Sequence, residues 1–306
     1  MTTTAVLGAG VIGASWTALF LAAGRRVRVH DPAPDAEANV RAYVETAWPQ
    51  LERLGLTWRG EADAMTFHAD PAEAVADAIF VQESVPERVE IKHALYAAIE
   101  DALPPDAVIA SSASGLTLSE MQEGWRAPSR FVLGHPFNPP HLIPLVEVMG
   151  NDRTDPTAVT AAEAFYRSVG KVTIRVEKEV PGHVANRLQA ALWREAIHLV
   201  LEGVASVEDV DKAVWAGPGL RWAAMGPTML FHLGAGEGGL AAFCDRYGPS
   251  FNRWWDDLGS PRMDETTATR LTEGVSSACD AASQSTLSGK RDALILAMLQ
   301  ATQNLR

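Results

Sequence analysis

Cysteine is almost missing from this chain: Cys244 and Cys279 are the only two in 306 residues. Two thiols without metal-ligand spacing build neither a disulfide framework nor a zinc site. They read as buried thiols of a reducing compartment, with the cytoplasm as the default. Positive charge is also short, 26 lysines and arginines against 38 aspartates and glutamates, for a formal net charge of -12. Nucleic acid and anionic membranes are bound by clustered cations, so neither is an expected partner, although a small anion is still accommodated where cations gather locally. Long apolar runs are absent too. None approaches the roughly 18 residues of a membrane span, and no basic stretch followed by an apolar segment and cleavage site precedes the first strand, so no leader is expected.

What is present describes a globular chain, 47% hydrophobic and long enough for two domains at ~100 to 200 residues each. Its first half alternates strands and helices. Thr3 to Leu7 is β-branched and apolar and runs into Gly8-Ala9-Gly10-Val11-Ile12-Gly13, after which Ala14 to Ala23 reads as an apolar helix closed by Gly24. In a dinucleotide-binding turn Gly8 makes the tight bend, Gly10 lets backbone approach a pyrophosphate, and Gly13 allows close helix-to-strand packing. The helix then presents free N–H groups to the phosphates. Arg26 to His30 is a second strand, and Asp31 stands at its end, 21 residues after Gly10. A carboxylate there accepts hydrogen bonds from the adenosine ribose and repels a 2′-phosphate, which favours NAD over NADP. A surface aspartate opening the turn Asp31-Pro32 is the plainer alternative.

Further along, Ala36 to Leu54 and then Trp58 to Ala64 read as a helical excursion. Strands follow at Ala78 to Gln82 and Ala107 to Ala110, with a helix from Arg88 to Glu100 between them. The second of these strands ends in Ser111-Ser-Ala-Ser-Gly115, small residues at the end of a parallel strand where a cofactor crevice forms or where a simple turn is made. Phe131 to Gly134, Ile143 to Met149 and Val172 to Val176 continue the sheet, and Pro156 to Ser168 reads as a helix. From Pro181-Gly182 onward no convincing strand remains. Val184 to Leu201 is a long apolar helix, and Ser206-Val-Glu-Asp209 is an N-cap signature for the next. The expected fold is α/β: a Rossmann-type domain with a mostly parallel sheet over residues 1–180, then an all-helical domain over 181–306 for substrate binding and dimerisation. The active site is expected in the cleft between them.

The stretch that carries chemistry is Val132-Leu-Gly-His-Pro-Phe-Asn-Pro-Pro140, followed by Glu147 in Leu145-Val-Glu-Val-Met149. An apolar strand that delivers His135 into a Pro-rich loop, with a carboxylate on the next apolar strand, has the parts of an oriented acid/base pair. Histidine titrates near neutrality, and a buried carboxylate raises its basicity and fixes which nitrogen carries the proton. Taken alone, these two residues are equally well a core histidine beside a structural glutamate.

The glycine turn at 8–13, Glu83-Ser-Val-Pro-Glu87, Ser114, His135-Pro-Phe-Asn-Pro139, Glu147 and Pro181-Gly-His-Val-Ala-Asn-Arg-Leu188 together resemble the 3-hydroxyacyl-CoA dehydrogenase superfamily along nearly the whole chain. The resemblance implies an NAD-dependent enzyme acting on a secondary 3-hydroxyl. His135 would be the general base and Glu147 its partner, with Ser114 and Asn186 contacting the reacting part of the substrate. Gly8, Gly10, Val11, Ile12, Gly13, Asp31, Glu87, Lys92, Ser114 and Asn138 would hold NAD, Glu87 and Lys92 at the nicotinamide-side ribose and phosphates. No metal is implied.

Two departures narrow the expectation. Acyl-CoA members usually carry a lysine-rich hairpin after the second strand, where the phosphorylated CoA lies; here residues 32–70 contain no lysine, only Arg41, Arg53 and Arg59 among more numerous acids. Gly217-Pro-Gly-Leu-Arg-Trp-Ala-Ala-Met-Gly-Pro227 places Arg221 where acyl-CoA enzymes have an apolar or Pro-containing turn. In this respect the chain is similar to the lambda-crystallin branch, which includes L-gulonate 3-dehydrogenase and bacterial L-carnitine 3-dehydrogenase, and Ala191-Leu-Trp-Arg-Glu-Ala196 is especially similar to the carnitine enzymes. A guanidinium can clamp a free carboxylate through two parallel hydrogen bonds, and aromatic faces such as Trp222 hold quaternary ammonium groups. Packing is the plainer reading for most of the nine tryptophans, and Arg221 has the alternative of capping a helix or pairing across a dimer interface. A small free 3-hydroxycarboxylate is therefore the expected substrate, with a 3-hydroxyacyl-CoA as the alternative and a silent crystallin-like protein as the rival class. His183 stands where the family is often apolar, and Gly226 to Leu240, rich in glycine and apolar residues, is the segment expected to pack in a homodimer.

Overall fold

The computed structural model describes residues 2–278 and 283–302. The strands at the centre of the first half are short, nearly continuous apolar runs, and they bury both faces. On β1 (Thr3–Leu7), Val6 enters one core while Ala5 and Leu7 enter the other. Sheets covered on both sides are the usual setting for parallel strands joined by helices, and this arrangement follows. In chain order come α1 (Val11–Ala22), β2 (Arg26–His30), α2 (Ala36–Arg53), β3 (Met65–Phe67), α3 (Pro71–Val75), β4 (Phe80–Glu83), α4 (Val89–Ile99), β5 (Val108–Ser111), α5 (Leu118–Gln122), β6 (Phe131–Pro136), β7 (Leu145–Met149), α6 (Pro156–Ser168) and β8 (Val172–Arg175). The sheet order is β3-β2-β1-β4-β5-β6-β7-β8, and every pair is parallel except β6 with β7. The carboxyl ends of β1, β2, β4, β5 and β6 therefore open on one edge, carrying Gly8, Asp31, Ser84, Ser112 and His135 to it.

Helix α1 is apolar all round, and ten of its twelve residues are buried, Trp16, Phe20 and Leu21 completely. Burying each such side chain is worth roughly 1.5–3 kcal/mol, which fixes the helix and so fixes the turn before it. Two glycines make that fixed position possible. Gly8 has φ +90°, and a Cβ there would lie 2.7 Å from the Ser84 carbonyl; a Cβ on Gly13 would lie 1.8 Å from the Gly8 oxygen.

One expected helix is not formed. Residues 58–64 are turns, and the strand that follows, β3, was not foreseen. Gly60 packs so closely on the end of α1 that a Cβ would stand 2.5 Å from the Leu21 oxygen, a contact that sequence periodicity does not encode. Strand β3 has only three residues, too few for alternation to be read.

After residues 176–184, which form no strand or helix, come α7 (Ala185–Leu201), α8 (Val207–Ala216), α9 (Pro218–Ala224), α10 (Pro227–Gly234), α11 (Gly239–Asp257), α12 (Glu265–Ala278) and α13 (Gln284–Thr302). Ser206 caps α8 by accepting from the Asp209 amide at 3.1 Å, as its sequence signature requires. The chain forms two compact units: residues up to Ala185 together with those from Ser288 onward, and Asn186–Leu287. The last helix thus joins the first unit by contact. Its Leu296 is buried with Leu54 and Leu142, and the Gln300 amide donates to the Arg53 carbonyl at 2.8 Å. The second unit buries few side chains. Ile197, Val200 and Val210 are its largest buried ones, while Leu188, Trp215, Leu220, Trp255 and Leu233 are each more than half exposed. Cys244 in this unit is exposed and not the buried thiol expected; Cys279 lies outside the described residues.

Candidate active site

The edge where the parallel strands end holds a histidine and a glutamate face to face. Because β6 and β7 are antiparallel, His135 and Glu147 fall directly opposite in register although twelve residues apart. Both are buried, Glu147 completely. The His135 Nδ1 lies 2.8 Å from Glu147 Oε2. An ionised carboxylate only accepts, so Nδ1 carries the proton and Nε2 is left with its lone pair, the tautomer that a general base needs. The other Glu147 oxygen, Oε1, accepts from the Val184 and Ala185 amides, each at 2.9 Å, at the start of α7. Burial works against the charge on Glu147, but the bonds from His135, Ala185 and Val184 outweigh it and hold the carboxyl below its usual 4.5.

A second carboxylate closes the loop after β5. Glu87 accepts from the Ser114 amide at 2.7 Å, from the Ser114 hydroxyl at 3.0 Å, from the Leu116 amide at 3.1 Å and from the Gly115 amide. Partial burial raises its pKa, but the Gly115, Leu116 and Ser114 donors more than reverse this. Asp31 ties the neighbouring turn: Oδ2 accepts from Ala9 N at 2.7 Å and Oδ1 from Ala33 N at 2.9 Å.

The residues around that turn fit NAD. A Cβ on Gly10 would meet nothing within 4 Å, so space is open there, and the N-terminus of α1 has no side-chain cap. Uncapped amides beside an open glycine are what a pyrophosphate requires. Val11 is 60% exposed at the same place. It shares a cleft with Tyr43, Gln50, Asn138 and His141.

Beneath Asn138 the 139–143 loop rests on buried polar groups. Lys171 donates to the Pro140 carbonyl and, at 2.7 Å, to that of Ile143; burial pulls its pKa down to about 7. His141 is bonded to Ser15 and Gln50, both at 2.8 Å, and burial, with Lys171 nearby, lowers it to about 4.

Residues 3–180 match the NAD binding domain of 3-hydroxyacyl-CoA dehydrogenase, and residues 182–267 match its C-terminal domain. The chain belongs to the 3-hydroxyacyl-CoA dehydrogenase family. It is an NAD-dependent oxidoreductase acting on a CH–OH group. An L-carnitine dehydrogenase of Streptomyces coelicolor is 49% identical over 98% of this chain and 95% of its own. One of Bacillus cereus is 43% identical over 96% and 90%. Among solved structures, 5-formyl-3-hydroxy-2-methylpyridine 4-carboxylic acid 5-dehydrogenase, described as an NAD⁺-dependent dismutase, has TM-score 0.84 and 30% identity over 99% of both chains. A 3-hydroxybutyryl-CoA dehydrogenase of Escherichia coli has TM-score 0.64 and 26% identity over 82% of this chain and 53% of that one.

Within this family frame, the structure brings together His135 with Glu147, Ser114 with Glu87, and Asp31 with the glycine turn. Lys92 is placed otherwise than the resemblance implies. It is 1% exposed, and its ammonium is bonded to both Glu83 oxygens at 2.7 and 2.8 Å, which leaves no open face for a phosphate. Tyr96 and Ser111 complete the Glu83 shell at 2.9 and 2.7 Å. Asn186, Arg221 and Trp222 belong to the second unit; Asn186 is half-buried in the first turn of α7, and Arg221 and Trp222 are exposed on α9. Sequence reasoning missed Lys171 and the Val184 and Ala185 amides. The start of a helix just after Pro181-Gly182 was the available signal for the amides; a lone lysine before β8 gave none. Among the described residues no cluster of three or more metal-ligating side chains occurs, and no helix is long and apolar enough to cross a membrane.

Since the folded pKa of Glu147 is depressed, its contribution to stability is full above the unfolded value and is lost as pH falls through the folded one. Glu147→Gln removes that dependence. Thermal unfolding followed from pH 6 to pH 3 should show a smaller acid-induced fall in Tm for the variant than for the wild type; parallel curves would contradict the assignment.

Proposed function

We propose that this enzyme oxidises the 3-hydroxyl of a small free 3-hydroxy acid to the 3-keto acid, with L-carnitine the favoured substrate and L-gulonate and 3-hydroxybutyrate behind it. His135 Nε2 takes the hydroxyl proton, and Glu147 stabilises the imidazolium that forms. NAD supplies the hydride acceptor, held by Gly8, Gly10, Val11, Ile12, Gly13 and Asp31, with Asn138, Ser114 and Glu87 toward the reacting end. Ser114 and Asn186 contact the reacting hydroxyl, Arg221 clamps the carboxylate, and Trp222 offers an aromatic face to the ammonium.

The observation that carries the free-acid reading is the state of the cations in residues 32–70. Of the three arginines there, Arg41 is paired with Glu37 at 2.7 Å and Arg59 lies over the Trp58 ring at 4.0 Å, which leaves Arg53 alone without an ion pair among the described residues, so CoA phosphates would meet little free counter-charge. The Arg221 side chain, by contrast, has no hydrogen bond or ion pair among the described residues. The L-carnitine dehydrogenases that match nearly full length support the choice among free acids. The retained His135, Glu147, Ser114 and Asn186 argue against a silent crystallin-like protein. The cytoplasm is the compartment this reading assigns, supported by the free thiol of Cys244.

The same reading makes the enzyme a homodimer through its helical unit. The support is apolar surface in the segment singled out from the sequence: α10 buries no residue, and Met229 and Leu233 are 51% and 58% exposed. Exposed apolar area of this kind marks an interface. Sedimentation at micromolar concentration should give a two-chain species, and a stable monomer would remove the dimer.

The substrate is tested by rates with NAD on L-carnitine, L-gulonate, 3-hydroxybutyrate and 3-hydroxybutyryl-CoA, for wild type and Arg221→Ala. L-Carnitine should be fastest. The variant should lose roughly 1.5–3 kcal/mol of binding, the worth of a charged hydrogen bond, seen as a KM higher by about tenfold or more. A high rate with the thioester that survives loss of Arg221, with silence toward the free acids, would restore the acyl-CoA alternative.

A further inference from the structure

His183 belongs to the motif Pro181 to Leu188, yet no step above uses it. Its position is unusual in three respects. It is the one non-glycine residue with positive φ among the described residues, at 51°, a left-handed conformation that a side-chain-bearing residue adopts only when its surroundings impose it. The side chain is 3% exposed. Neither ring nitrogen has a hydrogen-bond partner, in a class of groups that is almost always bonded when buried. The Ala113 backbone approaches the ring without closing a hydrogen bond.

The ring faces the base. The His183 and His135 ring centres are 5.2 Å apart at 54°. Burial and the nearby His135 hold His183 below its usual 6.5, against the opposing influence of Glu147, the Ala113 backbone and Glu87. It is therefore neutral near pH 7, with one nitrogen ready to accept a proton and the other carrying one.

A buried base has a problem that the dyad does not solve. His135 gains one proton in every oxidative turnover and must lose it before the next. Its Nδ1–H is committed to a carboxylate that is itself fully buried and accepts from two amides besides. Past His183 the chain is open: the neighbouring residues Gly182 and Val184 are partly or fully exposed, as is Glu87 on the 114–116 loop that follows Ala113.

We propose that His183 is a proton-relay residue, passing to solvent the proton that His135 takes from the substrate hydroxyl. One nitrogen of His183 accepts the proton from His135 Nε2, the opposite nitrogen releases its own to water, and a turn of the ring restores the starting His183 tautomer, so charge and proton count are conserved and His135 returns to its basic tautomer. The accepting nitrogen is then unpartnered because its partner is made by the reaction: the new N–H of the His135 imidazolium. This relay rests on His135 being the base.

The test separates the first turnover from the rest. His183→Phe keeps an aromatic ring of similar size and removes the relay; His183→Gly suits the left-handed backbone and leaves space for free imidazole. With NAD and the best substrate of the panel in stopped flow, both variants should form about one NADH per active site at near the wild-type rate. Steady turnover should then be slower by roughly 10²-fold, the scale of a lost proton-transfer group, with a larger solvent deuterium isotope effect. Added imidazole should restore turnover in His183→Gly and not in His183→Phe. Wild-type steady turnover in His183→Phe would overturn the relay, and so would loss of the first turnover and of steady turnover in equal measure, which is the mark of a packing role. His135→Ala, run alongside, should lack the first turnover altogether; if it does not, the base assignment fails independently of the relay.

Discussion

The geometry of the site depends on how one buried carboxylate is shared. Glu147 gives one oxygen to His135 and the other to two amides at the start of α7. A fully buried carboxylate without partners would be protonated at neutral pH; with three donors it remains charged. The charge orients the imidazole, and the antiparallel register of β6 and β7 puts the two side chains opposite each other with no long flexible arm between them. The single antiparallel step in the core of an otherwise parallel order is thus what allows a strand-borne histidine to meet a strand-borne glutamate.

The cofactor end is built by clearance. Helix α1 is held by its buried side chains, and the turn before it fits only because Gly8 and Gly13 carry no Cβ. Gly10 faces open space, so the same turn is crowded toward the protein and empty toward the ligand. Asp31 and Glu87 each bind backbone amides of a loop at the sheet edge, which makes these carboxylates part of the scaffold as well as candidates for ribose contacts. The buried Lys92–Glu83 pair plays a related part behind β4 and β5, joining two strand ends through one neutralised unit.

Much of this was legible in the sequence because the signals were local. Thr3–Leu7, Arg26–His30 and Pro156–Ser168 are bounded as their patterns require, the glycine turn, Asp31 and His135 sit at strand ends where chain order put them, and Glu147 lies on the next strand. The features that escaped depend on distant contacts. Lys92 is expected at the cofactor until the fold sets Glu83 beside it. Residues 58–64 form turns because the chain must pass the end of α1, and β3 is too short to show a period. The Glu147 amides and the Lys171 anchor become visible only when residues 184–185 meet β7 and Lys171 meets the 139–143 loop.

The central claim is that Glu147 holds His135 in the tautomer with Nδ1 protonated and Nε2 free. Nitrogen NMR of the histidine rings in the enzyme labelled with ¹⁵N-histidine, with His135 assigned by comparison with His135→Ala, tests it directly at pH 7 to 8. The account predicts a protonated-type Nδ1 shift and a free, basic-type Nε2 shift for His135, converting to an averaged ring in Glu147→Gln. A His135 with its proton on Nε2 in the wild-type enzyme would contradict it, since that ring could neither donate to Glu147 nor take a proton from a substrate.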